Sequence, residues 1–179
     1  MLAGGAGRRL GGDKCTVELA GRPLVLYPIT ALRGVCEQVV VVAKQDTRLP
    51  QLEGQAEVWI EPDEPQHPLA GVVHALRRAS AKKLLVLACD MPLVPEDLLR
   101  ALLKAGDGAG AVASCGDIAE PLCACYTRQA LGGLETFHPG DRAIDVVDAL
   151  GVARVEWDDC DAVLSVNAPE DVIRAQALL

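Results

Sequence analysis

Hydrophobic residues along this chain follow two alternating patterns. Short runs such as Val39–Ala43 and Lys83–Cys89 are almost wholly apolar, which is typical of strands buried on both faces of a sheet. Between such runs, in Leu69–Ala79 for example, apolar residues recur at the period of one helix face. The alternation predicts a single α/β domain over residues 1–179, with three layers (α/β/α) and a mainly parallel sheet.

The remaining elements follow from the same two patterns. Further strands are predicted at Ala56–Ile60, Gly110–Ser114, Leu122–Tyr126, Ala153–Glu156 and, as a short extra strand, Val163–Val166. Helices are predicted at Pro23–Leu32 (with a kink at Pro28), Leu69–Ala79, Pro95–Lys104, Thr127–Thr136, Ala143–Leu150 and Pro169–Leu179. The first strand has room only for residues 1–3. We therefore expect either that the sheet tolerates a short strand or that the natural start has a few more residues.

Charge and composition narrow the class of partner. The 17 Lys and Arg residues stand against 25 Asp and Glu, for a formal charge of −8, which argues against non-specific binding to nucleic acid or anionic membranes. Only 3% of residues are aromatic, too few for a base-stacking platform. No apolar run reaches the roughly 18 residues that span a bilayer. With no secretion-signal pattern at the start, we expect a cytoplasmic protein without nucleic-acid or membrane partners.

The seven cysteines are odd in number and irregular in spacing. They include no C-x-x-C pair, and Cys123 and Cys125 are predicted to share one face of a strand. We expect reduced, mostly buried thiols. A zinc site is the weaker alternative, since no His keeps ligand spacing with them.

The first candidate site is the glycine-rich stretch from Leu2 to Lys14, in which five of thirteen residues are Gly. Such a loop can aim successive backbone N–H groups at an anion, and Arg8, Arg9 and Lys14 add positive charge. The spacing fits neither a P-loop nor the dinucleotide-binding fingerprint. We therefore predict polyphosphate binding; the alternative is a flexible loop with solvated charges.

The second candidate is Asp90, directly after the buried run Lys83–Cys89. A carboxylate at the end of such a strand is suited to hold Mg²⁺ against the phosphates of a nucleotide, and Pro92 restricts the turn that follows. The alternative is that Asp90 caps the next helix.

Three weaker candidates lie next to other predicted elements. Asp63, in a proline-rich loop, is suited to accept hydrogen bonds from a base or ribose, or is a solvated acidic residue. Asn167, before the last helix, is a ligand contact or the N-cap of that helix. Glu120 and Pro121 are an acceptor contact or a plain turn. For His67 and for His74, a structural or surface role is favoured.

These motifs together resemble the molybdenum cofactor guanylyltransferase family (MobA type), within the nucleotidyltransferase superfamily of Rossmann-like α/β folds. The family's opening LAGG signature, with its later Asp-Lys, matches Leu2–Lys14, and its Cys-Asp-x-Pro motif matches Cys89–Pro92. Its Gly-Pro-Leu-Ala-Gly motif matches His67–Gly71, and its closing Asn-Thr-Pro-Glu-Asp motif matches Asn167–Asp171. His67 replaces the leading Gly, and Ala168 replaces Thr. Val42 stands where the family often has Asn, so that contact is absent or replaced.

The resemblance implies where a nucleotide would bind. The start of the signature contacts the base or ribose through backbone groups, at Leu2, Ala3, Gly4 and Gly5. Lys14 binds phosphate, Asp63 is the nearest match to an acidic nucleotide contact, and Asp90 binds GTP and Mg²⁺.

The expected reaction is GMP transfer from GTP to the phosphate of molybdopterin or the molybdenum cofactor. Lys14, Arg9 and Asp90 are the expected catalytic residues, and Glu120, Pro121 and Asn167 are expected to contact the acceptor. Proteins that deliver the cofactor are expected partners. The alternatives are cytidylyl transfer to the same cofactor, nucleotidyl transfer to phospholactate or a sugar phosphate, a non-catalytic nucleotide-binding protein, and a dinucleotide-dependent oxidoreductase.

Overall fold

The computed structural model describes residues 1–4, 14–52 and 54–179. Its strands are β1 (Glu18–Leu19), β2 (Arg22–Pro23), β3 (Val40–Ala43), β4 (Glu57–Ile60), β5 (Lys83–Leu87), β6 (Gly110–Cys115), β7 (Ile118–Thr127) and β8 (Ala153–Glu156). Its α-helices are α1 (Leu26–Arg33), α2 (Pro68–Arg78), α3 (Glu96–Ala105), α4 (Leu131–Leu134), α5 (Ala143–Asp148) and α6 (Pro169–Leu178). Short 3₁₀ helices lie at Lys14–Thr16, Arg128–Ala130 and Cys160–Val163.

The start of the chain joins two groups of strands. β3 pairs with β4, and the other group has the order β5-β7-β6-β8. Leu2 forms parallel bridges to Val42 of β3 and to Ala88 at the end of β5. Its N–H donates to the carbonyl of Leu87 at 2.9 Å, and its carbonyl accepts from the N–H of Cys89 at 3.0 Å. Residues 1–3 thus act as a very short strand between β3 and β5, as short as the sequence predicts.

The prediction of a mainly parallel sheet is not confirmed. β3 with β4 and β6 with β8 are parallel, but β7 runs antiparallel to both β5 and β6. The physical reason is the connection between β6 and β7, where only Gly116 and Asp117 intervene. Two residues can close a hairpin, whereas a parallel crossover needs a dozen or more. Gly116 has φ +56°, a left-handed conformation suited to such a turn.

Helices cover both faces of the central strands. Alternate residues of β5, β6 and β7 point to opposite sides, so that Leu85 and Leu87 join one apolar cluster while Val86 joins another. The first cluster includes buried residues of α1 and α3, and the second includes those of α2, α4 and α5. A third, smaller cluster packs Ala175 of α6 against Leu19 of β1. The fold is therefore mixed α/β with a core on each face of the sheet.

Three predicted local features differ from the structure. Pro28 lies in the first turn of α1, where the missing N–H has no helical partner to lose, so it does not interrupt the helix. No strand forms at Val163–Val166, because the 3₁₀ helix at Cys160–Val163 occupies its start. The predicted helix at Thr127–Thr136 begins as a 3₁₀ turn and has only four α-helical residues.

The prediction of reduced thiols is wrong for two of the seven cysteines. Cys115, which ends β6, forms a disulfide with Cys160, with the two Cα atoms 5.5 Å apart. The parallel pairing of β6 with β8 brings the segment after β8 within bridging distance. Of the others, Cys36, Cys89, Cys123 and Cys125 are free thiols. Cys123 and Cys125 both face the first cluster, which confirms that they share a face.

Within the described residues, no helix is both long and apolar enough to cross a membrane.

Gly110, at the start of β6, should be highly sensitive to substitution. Its φ is +139°, and a Cβ there would lie 2.1 Å from the carbonyl oxygen of Cys125. We expect Gly110→Ala to lower the free energy of unfolding by about 3 kcal/mol in a urea titration. Gly116→Ala is the matched control: its φ is also positive but nothing lies within 4 Å of the added atom, so the loss should be about 1 kcal/mol. Equal losses for the two variants would contradict the steric argument.

Candidate active site

A cleft of about 920 Å³ opens where the ends of β3, β4 and β5 meet the short strand at residues 1–3. The lining includes Leu2, Ala3, Gly4, Lys14, Asp63 and Asp90, all of which the sequence selected as nucleotide contacts. Parallel strands present their carboxyl ends at the same edge, which is where such sheets bind ligands. The glycine-rich start, the Asp90 motif and the proline-rich loop therefore share one cavity. Gly5 and Arg9 lie outside the described residues.

One end of the cleft is organised by the Lys14 ammonium group. Its Nζ donates to Oδ2 of Asp90 and, at 2.7 Å, to Oδ1 of Asn167. The Lys14 side chain is buried, as is most of that of Asp90. Three motifs separated by up to 153 positions thus meet at one cation.

Backbone contacts hold Asp90 and Asn167 in place. The N–H of Val166 donates to the carbonyl of Asp90 at 2.8 Å, which ties the two segments together. Asp171, in the first turn of α6, accepts from the N–H groups of Asn167 and Ala168. The N-cap of α6 is Ala168, so the alternative that Asn167 caps this helix is wrong. Its side chain is free to bond to Lys14.

Asp90 has a second oxygen with no hydrogen-bond partner among the described residues, although this Oδ1 is buried. The alternative role as a helix cap is wrong, because α3 begins after Pro95 and has no side-chain cap. Carboxylate and amide oxygens suit a hard cation such as Mg²⁺. Across the described part of the chain, no three His, Cys, Asp or Glu residues form a metal cluster. Asp90 therefore fits a metal that takes its other ligands from phosphate and water.

The opposite end of the cleft contains a carboxylate that the sequence analysis did not select. Glu61 follows β4 directly and is only 7% exposed. The Lys44 ammonium, at the end of β3, lies 3.6 Å from its Oε1 and also donates to the carbonyl of Pro62. The available signal was position: Glu61 is the first residue after a predicted strand, as Asp90 is. Asp63, which was selected, lines the cleft but is exposed.

The structure shows the surroundings of two of the three departures from the family pattern. His67 is the N-cap of α2, and its Nδ1 accepts from the N–H of Leu69 at 3.1 Å. Its ring stacks on Phe137, with the centroids 4.2 Å apart. The structural role expected for His67 is confirmed, although the residue also lines the cleft. Val42 is buried within β3.

Glu120 and Pro121 lie within β7, so the plain-turn alternative is wrong. The carbonyl of Pro121 accepts from the Tyr126 hydroxyl at 2.8 Å, while the next residue, Leu122, reaches the cleft. Burial, and to a lesser extent the nearby charge of Asp90, raise the pKa of the Glu120 carboxyl. Glu120 is therefore coupled electrostatically to the Lys14 end of the cleft.

Two buried thiols flank the same end. Cys15 donates to the carbonyl of Ala3 at 3.8 Å, and Cys89 precedes Asp90. A hydrogen bond with Cys15, together with burial, raises the pKa of the Cys89 thiol well above its ordinary value. Cys89 therefore stays protonated at neutral pH and is a poor nucleophile.

Sequence comparison finds a matching family and several relatives. Residues 1–155 match the family described as the MobA-like NTP transferase domain. A molybdenum cofactor guanylyltransferase from Cereibacter sphaeroides is 36% identical over 185 residues, covering 100% of this chain and 95% of that protein. A protein of the same name from Shewanella amazonensis is 34% identical over 179 residues, covering 96% and 91% of the two chains.

Solved structures share the fold. The molybdopterin-guanine dinucleotide biosynthesis protein A from Archaeoglobus fulgidus has a TM-score of 0.78 at 26% identity, covering 99% of this chain and 95% of that one. The 2-C-methyl-D-erythritol 4-phosphate cytidylyltransferase from Thermus thermophilus has a TM-score of 0.71 at 22% identity, covering 99% and 96%, a likeness that concerns the fold alone. From the match to the family over most of its length and from these full-length relatives, this chain belongs to the MobA-like NTP transferase family.

Proposed function

We propose that this protein transfers GMP from GTP to the terminal phosphate of molybdopterin or the molybdenum cofactor. The observation that carries the proposal is the meeting of Lys14, Asp90 and Asn167 at one end of a cleft that the glycine-rich start also lines. The relatives named molybdenum cofactor guanylyltransferase support the choice of nucleotide and acceptor.

The reaction needs no nucleophile from the protein. An oxygen of the acceptor phosphate attacks the α-phosphorus of GTP, a new phosphorus–oxygen bond forms, and the bond to the bridging oxygen breaks. The leaving group is pyrophosphate, which takes both electrons of the broken bond. Catalysis then consists of positioning the two phosphates in line and neutralising the charge that develops on the leaving group.

Lys14 is suited to the second task. An ammonium has three N–H donors, and Asp90 and Asn167 engage two of them. No described residue engages the third, which would donate to a phosphate oxygen of the nucleotide. In this proposal Asn167 orients Lys14, in addition to the acceptor contact expected from its motif, and Arg9 adds charge on the pyrophosphate side.

Asp90 would hold Mg²⁺ through the carboxylate oxygen that has no partner among the described residues. When bound, Mg²⁺ supplies further charge neutralisation at the phosphate oxygens. The backbone of residues 2–5 and the carboxylate of Asp63 are proposed to bind the nucleoside. Glu120 and Pro121 are proposed to contact the acceptor, which a partner protein would deliver.

The proposed function predicts strict dependence on both substrates. Pyrophosphate release should require GTP, Mg²⁺ and molybdopterin together, while CTP, ATP and UTP give little product. A thermal-shift panel with the same four nucleotides should show the largest stabilisation with GTP, about 2.7 kcal/mol at 100 times its Kd. Release with CTP in place of GTP, or with a sugar phosphate in place of molybdopterin, would contradict the assignment.

Asp90→Asn should remove most of the activity. The substitution keeps the size of the side chain but removes the charge that pairs with Lys14 and holds the metal, so we expect kcat to fall about 10²- to 10³-fold. The matched control is Asp145→Asn on the exposed side of α5, which should leave the rate unchanged. Full turnover by Asp90→Asn at saturating Mg²⁺ would show that this carboxylate is not needed.

The pKa of Glu120 should report on Asp90 independently of turnover. Because burial is the larger cause of its raised pKa and Asp90 the smaller, Asp90→Asn should lower the pKa of Glu120 without restoring the ordinary value. A carboxyl-detected NMR titration of the ligand-free protein measures this. No shift, or a shift equal to that in Asp145→Asn, would mean that the two carboxylates are not coupled.

A further inference from the structure

Strand β7 contains a bulge close to the cleft. Val112 of β6 pairs with Ala124 of β7, but the next residue of β6, Ala113, pairs with Glu120. Residues 121–123 therefore have no partner in the register of β6 with β7, and we call them the β7 bulge. Bulges of this kind bend a strand and are found next to active sites, where they re-aim a side chain.

The β7 bulge changes the face of the sheet on which Glu120 lies. Regular alternation along a strand would place Glu120 on the same side as Ala124, which belongs to the second cluster. Instead Glu120 lies opposite Ala113, which belongs to the first cluster. Cys123 also faces the first cluster, and burial together with the charge of Glu120 raises the pKa of its thiol. The bulge thus turns Glu120 to the face on which it also senses the charge of Asp90.

The same bulge reaches the cleft through Leu122. The N–H of Ala88, directly after β5, donates to the carbonyl of Leu122 at 3.0 Å, and both residues line the cleft. Asp90 follows Ala88 by two positions. The shape of the β7 bulge therefore decides where Leu122 and Glu120 lie relative to Asp90.

The hydroxyl of Tyr126 holds the β7 bulge in this shape. It donates to the carbonyl of Pro121 at 2.8 Å, and both residues are buried. Tyr126 lies after the bulge, where β7 is paired with Leu84 of β5 and with Gly110 of β6. The hydrogen bond therefore ties the bulge to the regular part of the strand. Because a buried carbonyl that loses its donor is costly, this bond favours one arrangement of the bulge.

We propose that Tyr126 is a positioning residue for the acceptor: its buried hydroxyl holds the β7 bulge so that Glu120 meets the acceptor beside Asp90. The inference rests on the proposed function, since it takes Glu120 as an acceptor contact. Tyr126 itself is not part of the cleft lining, so it acts through the backbone of the bulge and takes no part in the chemical step. Its hydroxyl should therefore matter for use of the acceptor and not for binding of the nucleotide, whose proposed contacts lie on other segments.

Tyr126→Phe tests the proposal, because it keeps the buried ring, and with it the packing, while removing the hydroxyl. The matched control is Tyr27→Phe. The Tyr27 hydroxyl also donates to a backbone carbonyl, that of Leu19 at 2.6 Å, but Tyr27 lies in α1 and packs against the third cluster. We expect Tyr126→Phe to lower kcat/KM for molybdopterin roughly tenfold at saturating GTP and Mg²⁺, mainly through KM. The Kd of GTP should stay unchanged, and Tyr27→Phe should alter neither quantity.

Amide hydrogen exchange reports on the β7 bulge without turnover. In Tyr126→Phe, the amide of Ala88, which donates to Leu122 within the bulge, should exchange roughly tenfold faster than in wild-type protein. The amide of Ala3, which donates to the carbonyl of Val42 at 2.8 Å, should keep its wild-type rate. Unchanged exchange at Ala88 would overturn the inference. Equal acceleration at Ala88 and Ala3 would indicate a general loss of stability and would overturn it as well.

A double variant separates positioning from general support of the fold. If Tyr126 acts through Glu120, Tyr126→Phe should lower kcat/KM for molybdopterin much less in a Glu120→Gln background than in wild-type protein. Equal factors in the two backgrounds would overturn the inference. A loss of GTP binding in Tyr126→Phe as large as the loss in acceptor use would also overturn it, because the hydroxyl would then only support the fold.

Failure of the proposed function gives a different pattern. Wild-type protein would then release no pyrophosphate from GTP with molybdopterin, while the exchange of Ala88 would still depend on Tyr126; this result overturns the link to the acceptor and keeps the role of the hydroxyl in the bulge. Conversely, transfer by wild-type protein with no effect of Tyr126→Phe on molybdopterin use would leave the function standing and remove Tyr126 from acceptor positioning.

Discussion

The arrangement of the cleft depends on the ammonium group of Lys14. It joins Asp90, at the end of a central strand, to Asn167, just before the last helix, and so connects the middle of the chain with its end. Burying three polar groups together costs desolvation energy, and their mutual hydrogen bonds offset it. If Lys14 were removed, the mostly buried carboxylate of Asp90 would lose its counter-charge, a change that typically costs several kcal/mol. The interaction therefore stabilises the fold as well as shaping the proposed active site.

The sheet explains why residues so far apart in sequence reach one place. The short strand at residues 1–3 lies between β3 and β5, so that the glycine-rich stretch begins beside both strand ends. The N–H of Val166 continues the connection through the carbonyl of Asp90. Each of these contacts is made by the backbone, which leaves the side chains of Asp90 and Asn167 available for charge and hydrogen bonding. The antiparallel strand β7 contributes Leu122 to the cleft and places Glu120 within the field of Asp90.

Sequence patterns predicted most of the strands and helices, because continuous apolar runs and helical periodicity report burial directly. They did not predict strand direction. The predicted strands Gly110–Ser114 and Leu122–Tyr126 are separated by seven residues, too few for a parallel crossover, and the observed connection has only two. The disulfide was missed for a different reason: Cys115 and Cys160 are 45 positions apart, and only the pairing of β6 with β8 brings them together.

Within the site, Lys14 and Asp90 were predictable because charged residues stood beside glycines or directly after a buried strand. Glu61 also directly follows a predicted strand, but the acidic loop after it contains further carboxylates, of which Asp63 was the one predicted to contact the nucleotide. Asn167 can contact Lys14 because the N-cap of α6 is Ala168, whose N–H donates to Asp171. The local sequence does not show whether Ala168 or Asn167 is the N-cap.

The disulfide has a consequence for the end of the chain. Asn167 follows Cys160 by only seven positions, and Cys160 is fixed covalently to the end of β6. Only the short segment from Cys160 to Asn167 must therefore be ordered to bring the Asn167 amide to Lys14. Without the disulfide, the segment would begin at the end of β8. Because the entropy of closing a loop grows with its length, a short tether raises the local concentration of Asn167 at the cation. In this way a covalent bond outside the cleft lowers the entropic cost of holding the last motif at Lys14.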